Sequence, residues 1–145
     1  MLNSEYAAYI AGLFDGEGSI QYKQKWEKKK NHKGDGYRKT YTWRISMEIG
    51  MTDYSVLVWV LETLGVGTVT KRNIKGITKS GKKYKPQWRW RCTFRDAYYV
   101  CRVLWPYAHI KLPKIQKIIE HYSRQKIMNG NVVNLDEYRK NMSLE

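Results

Sequence analysis

Two carboxylates separated by a single glycine, Asp15 and Glu17, stand in the run Asp15-Gly16-Glu17-Gly18 that closes an apolar stretch from Tyr6 to Phe14. If that stretch is a helix, both acids lie at its negative dipole end, where each costs about 0.3–1 kcal/mol unless a cation sits nearby. A bound metal would reverse the penalty. An Asp-Gly turn whose carboxylates stay in water accounts for the same residues. An EF-hand does not, because Ile20 occupies the position that loop reserves for glycine and Trp26 the one it reserves for glutamate. Other metal and nucleophile chemistries find little support. His32, His109 and His121 are scattered, and Cys92 and Cys101 form no C-x-x-C pair, so the cysteines read as reduced, buried thiols.

The same stretch carries Ala8, Gly12 and Gly16 at every fourth position. In a helix these form a smooth strip that admits another helix with the backbones nearly in contact. Small residues could equally seat the helix beneath a sheet of its own chain.

The elements around this run must hold it against a polyanion. The chain has 145 residues, with 27 basic against 13 acidic side chains and a formal charge of +14. That balance selects nucleic acid first and an anionic membrane second. No stretch approaches the roughly 20 apolar residues of a membrane span, and no signal peptide is evident, so a soluble, intracellular protein is expected. Six tryptophans and twelve tyrosines exclude a disordered basic tail.

Ser4 is placed to cap the first helix, whose apolar character almost all round predicts burial. From Ser19 the period becomes two, with Ile20, Tyr22 and Trp26 on one face and Gln21, Lys23, Lys25 and Glu27 on the other. A polar turn over residues 28–36 leads to a second arm in which Tyr41, Trp43, Ile45, Met47 and Ile49 alternate with Arg38, Thr40, Thr42, Arg44 and Ser46. Asp53 caps a helix bearing Leu57, Val60, Leu61 and Leu64, which Gly65 stops. A second hairpin has arms over 68–75 and 87–94, with Trp88, Trp90, Cys92 and Phe94 in phase and Arg89 and Arg91 between them. Asp96 opens a helix that ends before Pro106, and Pro113 begins another that carries Ile115, Ile118, Ile119 and Tyr122 and stops at Gly130. The order helix, hairpin, helix, hairpin, helix, helix predicts an α+β domain over residues 1–130, with a four-stranded antiparallel sheet and its helices on one face. Residues 131–145 read as a short helix or tail.

The run Tyr9-Ile10-Ala11-Gly12-Leu13-Phe14-Asp15-Gly16-Glu17-Gly18-Ser19-Ile20 resembles the signature of the LAGLIDADG homing endonucleases. Further similarity lies in Leu64-Gly65-Val66-Gly67-Thr68-Val69 and in Trp105-Pro106-Tyr107-Ala108-His109-Ile110-Lys111, so it spans roughly residues 5–122. The motif occurs once, which the resemblance ties to the homodimeric, single-motif type and an α-β-β-α-β-β-α(-α) fold. It implies that Ala8, Gly12, Leu13, Asp15 and Gly16 meet a second copy. Glu17 is implied as the catalytic metal ligand, with the Gly16 carbonyl as a further oxygen ligand, Asp15 as structural, and Lys111 as a basic catalytic residue beside the metal. Met51 stands where the family commonly has a polar residue. Mg²⁺ is the implied cofactor, with Mn²⁺ substituting and Ca²⁺ supporting binding without cleavage.

The resemblance implies hydrolysis of both DNA strands at a long, pseudo-palindromic target, in the service of intron homing or of the homing of an intein. It places the protein in the cytoplasm of a prokaryote or phage host, or in an organelle. Candidate DNA-reading residues are Gln21, Lys23, Lys25, Arg38, Thr40, Thr42, Arg44, Ser46, Thr70, Arg72, Arg89 and Arg91, since a β-ribbon can enter a major groove. A bulge in the last strand would instead turn Trp88 and Trp90 outward. The rival expectation is a non-cleaving nucleic-acid binder, such as an intron RNA splicing helper or a regulator of the same fold.

Overall fold

A computed structural model describes residues 2–73 and 75–128, and the expected stop at Gly130 and the segment 131–145 lie outside the described residues. The alternation of apolar and polar residues builds four antiparallel strands. Those of the first hairpin are β1 (Gly18–Lys30) and β2 (Tyr37–Met51), and those of the second are β3 (Thr68–Arg72) and β4 (Gln87–Thr93). The strand order β1-β2-β4-β3 places the first hairpin beside the last strand. Four helices, α1 (Ser4–Glu17), α2 (Tyr54–Leu64), α3 (Phe94–Leu104) and α4 (Leu112–Met128), complete the α+β architecture.

One side of the sheet makes the core. Ile20, Ile45, Met47, Ile49, Trp90 and Cys92 are buried there with Ile10, Phe14, Leu57, Val60, Val100, Leu104, Ile115 and Ile118 from the four helices. Among the described residues the opposite side of the sheet carries no helix, and it is rich in charge.

Several boundaries differ from the sequence expectation. The first helix is capped by Asn3 rather than Ser4, because the Asn3 side chain accepts the Glu5 N–H at 2.7 Å. Nor is that helix buried all round: Ala7, Ile10, Ala11 and Phe14 face the core, while Tyr6, Ala8, Tyr9, Gly12 and Gly16 are exposed. The first turn contracts to residues 31–36, because Lys28, Lys29 and Lys30 continue the ladder opposite Lys39, Arg38 and Tyr37. β3 ends at Arg72, short of residue 75. Phe94 leaves the strand and opens α3 with a φ of 50°, so its ring is exposed instead of continuing the apolar side. Asp96 then falls in the first turn of that helix.

Other expectations hold. Asp53 caps α2, and its carboxyl lies below the usual range because the Ser55 hydroxyl and the Val56 N–H donate to it. Gly65 ends α2 in the left-handed region. Cys92 and Cys101 are free and buried, with the Cys101 thiol 3.5 Å from the Met47 sulfur. Met51 packs against the core.

Candidate nucleic-acid interface and acidic centre

The end of α1 is set by Gly18, whose N–H donates to the Phe14 carbonyl. A side chain there is excluded, since an added Cβ would lie 2.3 Å from the Phe14 ring. The chain therefore passes directly from helix to strand, and the two acids sit on the hinge between core and open face.

Their fates diverge. Both Asp15 oxygens are used within the chain, Oδ2 accepting the His109 N–H at 2.8 Å and Oδ1 the Lys111 N–H at 2.9 Å. These bonds satisfy a carboxylate at the unfavourable end of α1 without a metal, and they join it to the start of α4, whose dipole there is positive. The Lys111 carbonyl accepts the Ile115 N–H at 3.0 Å, so its backbone links Asp15 to the first turn of α4. Glu17 keeps the other outcome. It is exposed, as is Gly16 beside it. Among the described residues no group of three or more His, Cys, Asp or Glu could hold a metal within one chain. One carboxylate and neighbouring backbone oxygens nevertheless suit a hard cation that keeps most of its waters.

The strip of small residues is open. Ala8, Gly12 and Gly16 are exposed, and nothing lies within 4 Å of a Cβ built at Gly12 or Gly16. Seating beneath their own sheet is therefore not their role. Leu13 and Asp15 are half-buried at its margin.

The open face of the sheet follows from register. Gln21 pairs with Ser46, Lys23 with Arg44, Lys25 with Thr42 and Lys29 with Arg38; across β3 and β4, Thr70 pairs with Arg89 and Arg72 with Gln87. Thr40 stands opposite Glu27 on the same side. The last strand has no bulge, its pairs running without a break from Ser46–Thr93 to Met51–Trp88. Trp90 is buried, with its indole N–H donating to the Val66 carbonyl at 3.1 Å, so Arg89 and Arg91 take the open side. Trp88 lies on the helix side, in contact with Tyr54 at 4.3 Å between ring centroids. Gln21, Lys23, Lys25, Arg44, Thr70, Arg72 and Arg91 are exposed, whereas Ser46 is 7% exposed and close to Gln21.

Two acids within this basic field were not singled out by sequence reasoning. Glu27 accepts from Arg44 and from the Thr42 hydroxyl at 2.8 Å, with Lys25 at 4.0 Å. The Thr42 and Arg44 bonds hold its carboxyl below the usual range. Glu48 lies 3.6 Å from Arg89 and within reach of the Ser19 hydroxyl, in a depression that also includes Gln21, Ser46 and Arg91. Alternation alone shows that Glu27 is on the wet side, but its partners lie 15 and 17 residues away, and only the hairpin register identifies them.

Among the described residues no helix is long and apolar enough to cross a membrane. The profile of the LAGLIDADG endonuclease family matches residues 10–87, more than half of the chain. No curated protein matches it. Among solved structures, the homing endonuclease I-CvuI, crystallised with the I-CreI target in the presence of Mg and with its DNA not cleaved, is similar at 20% identity over 80% of this chain, with a TM-score of 0.60. The chain spans 64% of that protein's length. The archaeal intron-encoded homing endonuclease I-Vdi141I, complexed with DNA, is similar at 16% identity over 87% of this chain and 70% of its own, with a TM-score of 0.57. The homing endonuclease I-TnaI is similar at 18% identity over 79% of this chain and 69% of its own, with a TM-score of 0.54. At such identities these likenesses establish a shared fold.

Proposed function

Because the chain belongs to the LAGLIDADG endonuclease family, we propose that it is a metal-dependent homing endonuclease that cuts both strands of a long, pseudo-palindromic DNA site as a homodimer. The observation that carries this reading is the pair of Asp15 bonds, which ties the Lys111 segment to the helix end where Glu17 stands exposed. An exposed carboxylate, the segment that carries Lys111 and the charged side of the sheet are thus joined at the end of α1.

Glu17 and the Gly16 carbonyl are the groups that would hold Mg²⁺, two copies together completing what one chain lacks. The ion would supply Lewis acidity and lower the pKa of a bound water. The chain's own residues do the rest. Lys111 presents positive charge to the scissile phosphate as negative charge builds on its oxygens. Asp15 holds the Lys111 backbone and makes no contact with the reaction. The arginines, lysines and glutamine of the open face bind the duplex, with lysines favouring phosphates and arginine and Gln21 suited to base edges. The exposed Ala8, Gly12 and Gly16 strip is the surface on which a second copy packs.

The test compares the protein with a Glu17→Gln variant on a pooled library of partly palindromic duplexes in Mg²⁺, followed by sequencing of the ends produced. Cleavage by the parent alone supports the reading and identifies the target. Sequence-selective binding by both, with no cleavage by either, replaces it with the non-cleaving binder, for which intron RNA becomes the next ligand to test.

A further inference from the structure

The β1–β2 hairpin outruns the helices that cover its root. There the covered side is closed: Ile20, Ile45 and Met47 are buried, and Tyr22 stacks on Trp43 at 4.8 Å with His121 of α4 edge-on to both. Beyond this group no helix of the described residues lies over the same side, and its rings are exposed. It carries Trp26 opposite Tyr41, Lys28 opposite Lys39, and Lys30 opposite Tyr37.

These six residues share one chemistry. Trp26, Tyr41 and Tyr37 are 52%, 62% and 63% exposed, and the three lysines are exposed as well. The Trp26 and Tyr41 rings lie 4.6 Å apart at 57°, a cross-strand contact that still leaves over half of each residue open to solvent. The Lys28 ammonium sits 4.7 Å from the centre of the Tyr37 ring. No acid shares this side of the strands, for Glu27 belongs to the opposite one, where Arg44 and Thr42 engage it.

We propose that this back surface of the hairpin is a second nucleic-acid site, a stacking platform for single-stranded RNA or DNA. Rings receive bases regardless of sequence, and ammonium groups placed between them meet the phosphates. A duplex keeps its base faces stacked internally and has no use for the rings. An apolar protein surface would leave the three lysines without counter-charge. The site requires neither Glu17 nor a second copy, so its success or failure is separate from that of the cleavage reading.

The probes are labelled oligouridylate and oligodeoxyuridylate, which share a base, differ in the sugar and form no duplex with themselves. Each is added to the full chain already saturated with a mixed-sequence duplex at low salt, and fluorescence anisotropy is followed. Binding of either probe without displacement of the duplex is the expected result, and the stronger probe identifies the sugar. Combined Trp26→Ala and Tyr41→Ala substitution should weaken the single strand by roughly tenfold or more while duplex affinity stays within about twofold. A separate Lys28→Gln, Lys39→Gln variant, which leaves the rings in place, should reduce the salt slope of single-strand binding by about 1.4. One-for-one displacement by the duplex, or unchanged single-strand affinity and salt slope in both variants, overturns the proposal.

Discussion

Asp15 reaches across 96 residues of chain to accept the backbone N–H of Lys111 at 2.9 Å, and its second oxygen accepts that of His109 at 2.8 Å. A side chain at the end of the first helix thereby fixes where the last helix begins. Hydrogen bonds to a charged group contribute about 1.5–3 kcal/mol each, and losing the acceptor leaves two N–H groups to be satisfied elsewhere. Asp15→Ala should therefore lower unfolding stability by roughly 2–4 kcal/mol, read from urea midpoints. Lys111→Ala removes no part of that backbone bond and should leave stability within about 0.5 kcal/mol while reducing cleavage. Equal stability losses in the two variants would show that Lys111 acts through packing.

The carboxyl of Glu27 should titrate below an ordinary glutamate, because the Thr42 hydroxyl and the Arg44 guanidinium both donate to it. A folded pKa depressed below the unfolded value contributes stability that is present above the unfolded pKa and is lost as pH falls through the folded one. Carbon-detected NMR titration of the side-chain carboxyl reads this directly. Thr42→Val should move the midpoint upward toward the ordinary value, since the hydroxyl bond is the larger cause. An unmoved midpoint would assign the depression to Arg44 alone.

Burial pushes the Cys92 thiol up to about 12, and the fully buried Cys101 rises well above its ordinary value. The thiolate is the reactive form. Neither cysteine should react with a disulfide reagent at pH 8 while the protein is folded, and both should react in urea. Rapid modification of the native chain would mean that α3 lifts from the sheet on the time scale of the assay.

Gly67 has a φ of 97°, and an added Cβ would lie 2.5 Å from the Trp90 indole nitrogen and 2.9 Å from the Arg91 carbonyl. Backbone strain and a clash with buried groups then coincide, so Gly67→Ala should cost roughly 2 kcal/mol or more. Trp90→Phe removes only the bond to the Val66 carbonyl and the size of one ring, and should cost less. Thermal melts of the two variants give the order.

Period-two alternation locates the strands and the buried side of the first hairpin, because Ile20, Ile45 and Met47 need the same side of one sheet, while the unbroken pairing of β2 with β4 decides that Trp90 joins them. The Asp53 cap and the Gly65 stop were likewise legible, since each acts within a few residues of its own helix. What local pattern could not show was settled at a distance. Phe94 continues the apolar phase of its strand, yet a positive φ there turns the chain into α3. α1 looked buried all round because its composition cannot reveal which neighbours are absent. Asp15 and Glu17 are equivalent by spacing, and they separate only when the His109–Lys111 segment folds back onto one of them.

The open strip on α1 permits a separation of folding from assembly. Gly12 is exposed and mid-helix, with nothing within 4 Å of a built Cβ, so no contact within its own chain requires glycine there. A helix-interior glycine is less favourable than alanine by about 0.5–1 kcal/mol. Gly12→Leu should consequently leave the isolated chain as stable as the parent or somewhat more so. In the proposed homodimer the same side chain would stand between two helices that pack through small residues, so the parent should sediment as a dimer and the variant as a monomer. Duplex affinity should then fall, because half of the paired contacts are gone. A Gly12→Leu protein that remains dimeric and still cuts both strands would remove α1 from the interface and leave its exposed strip without a partner.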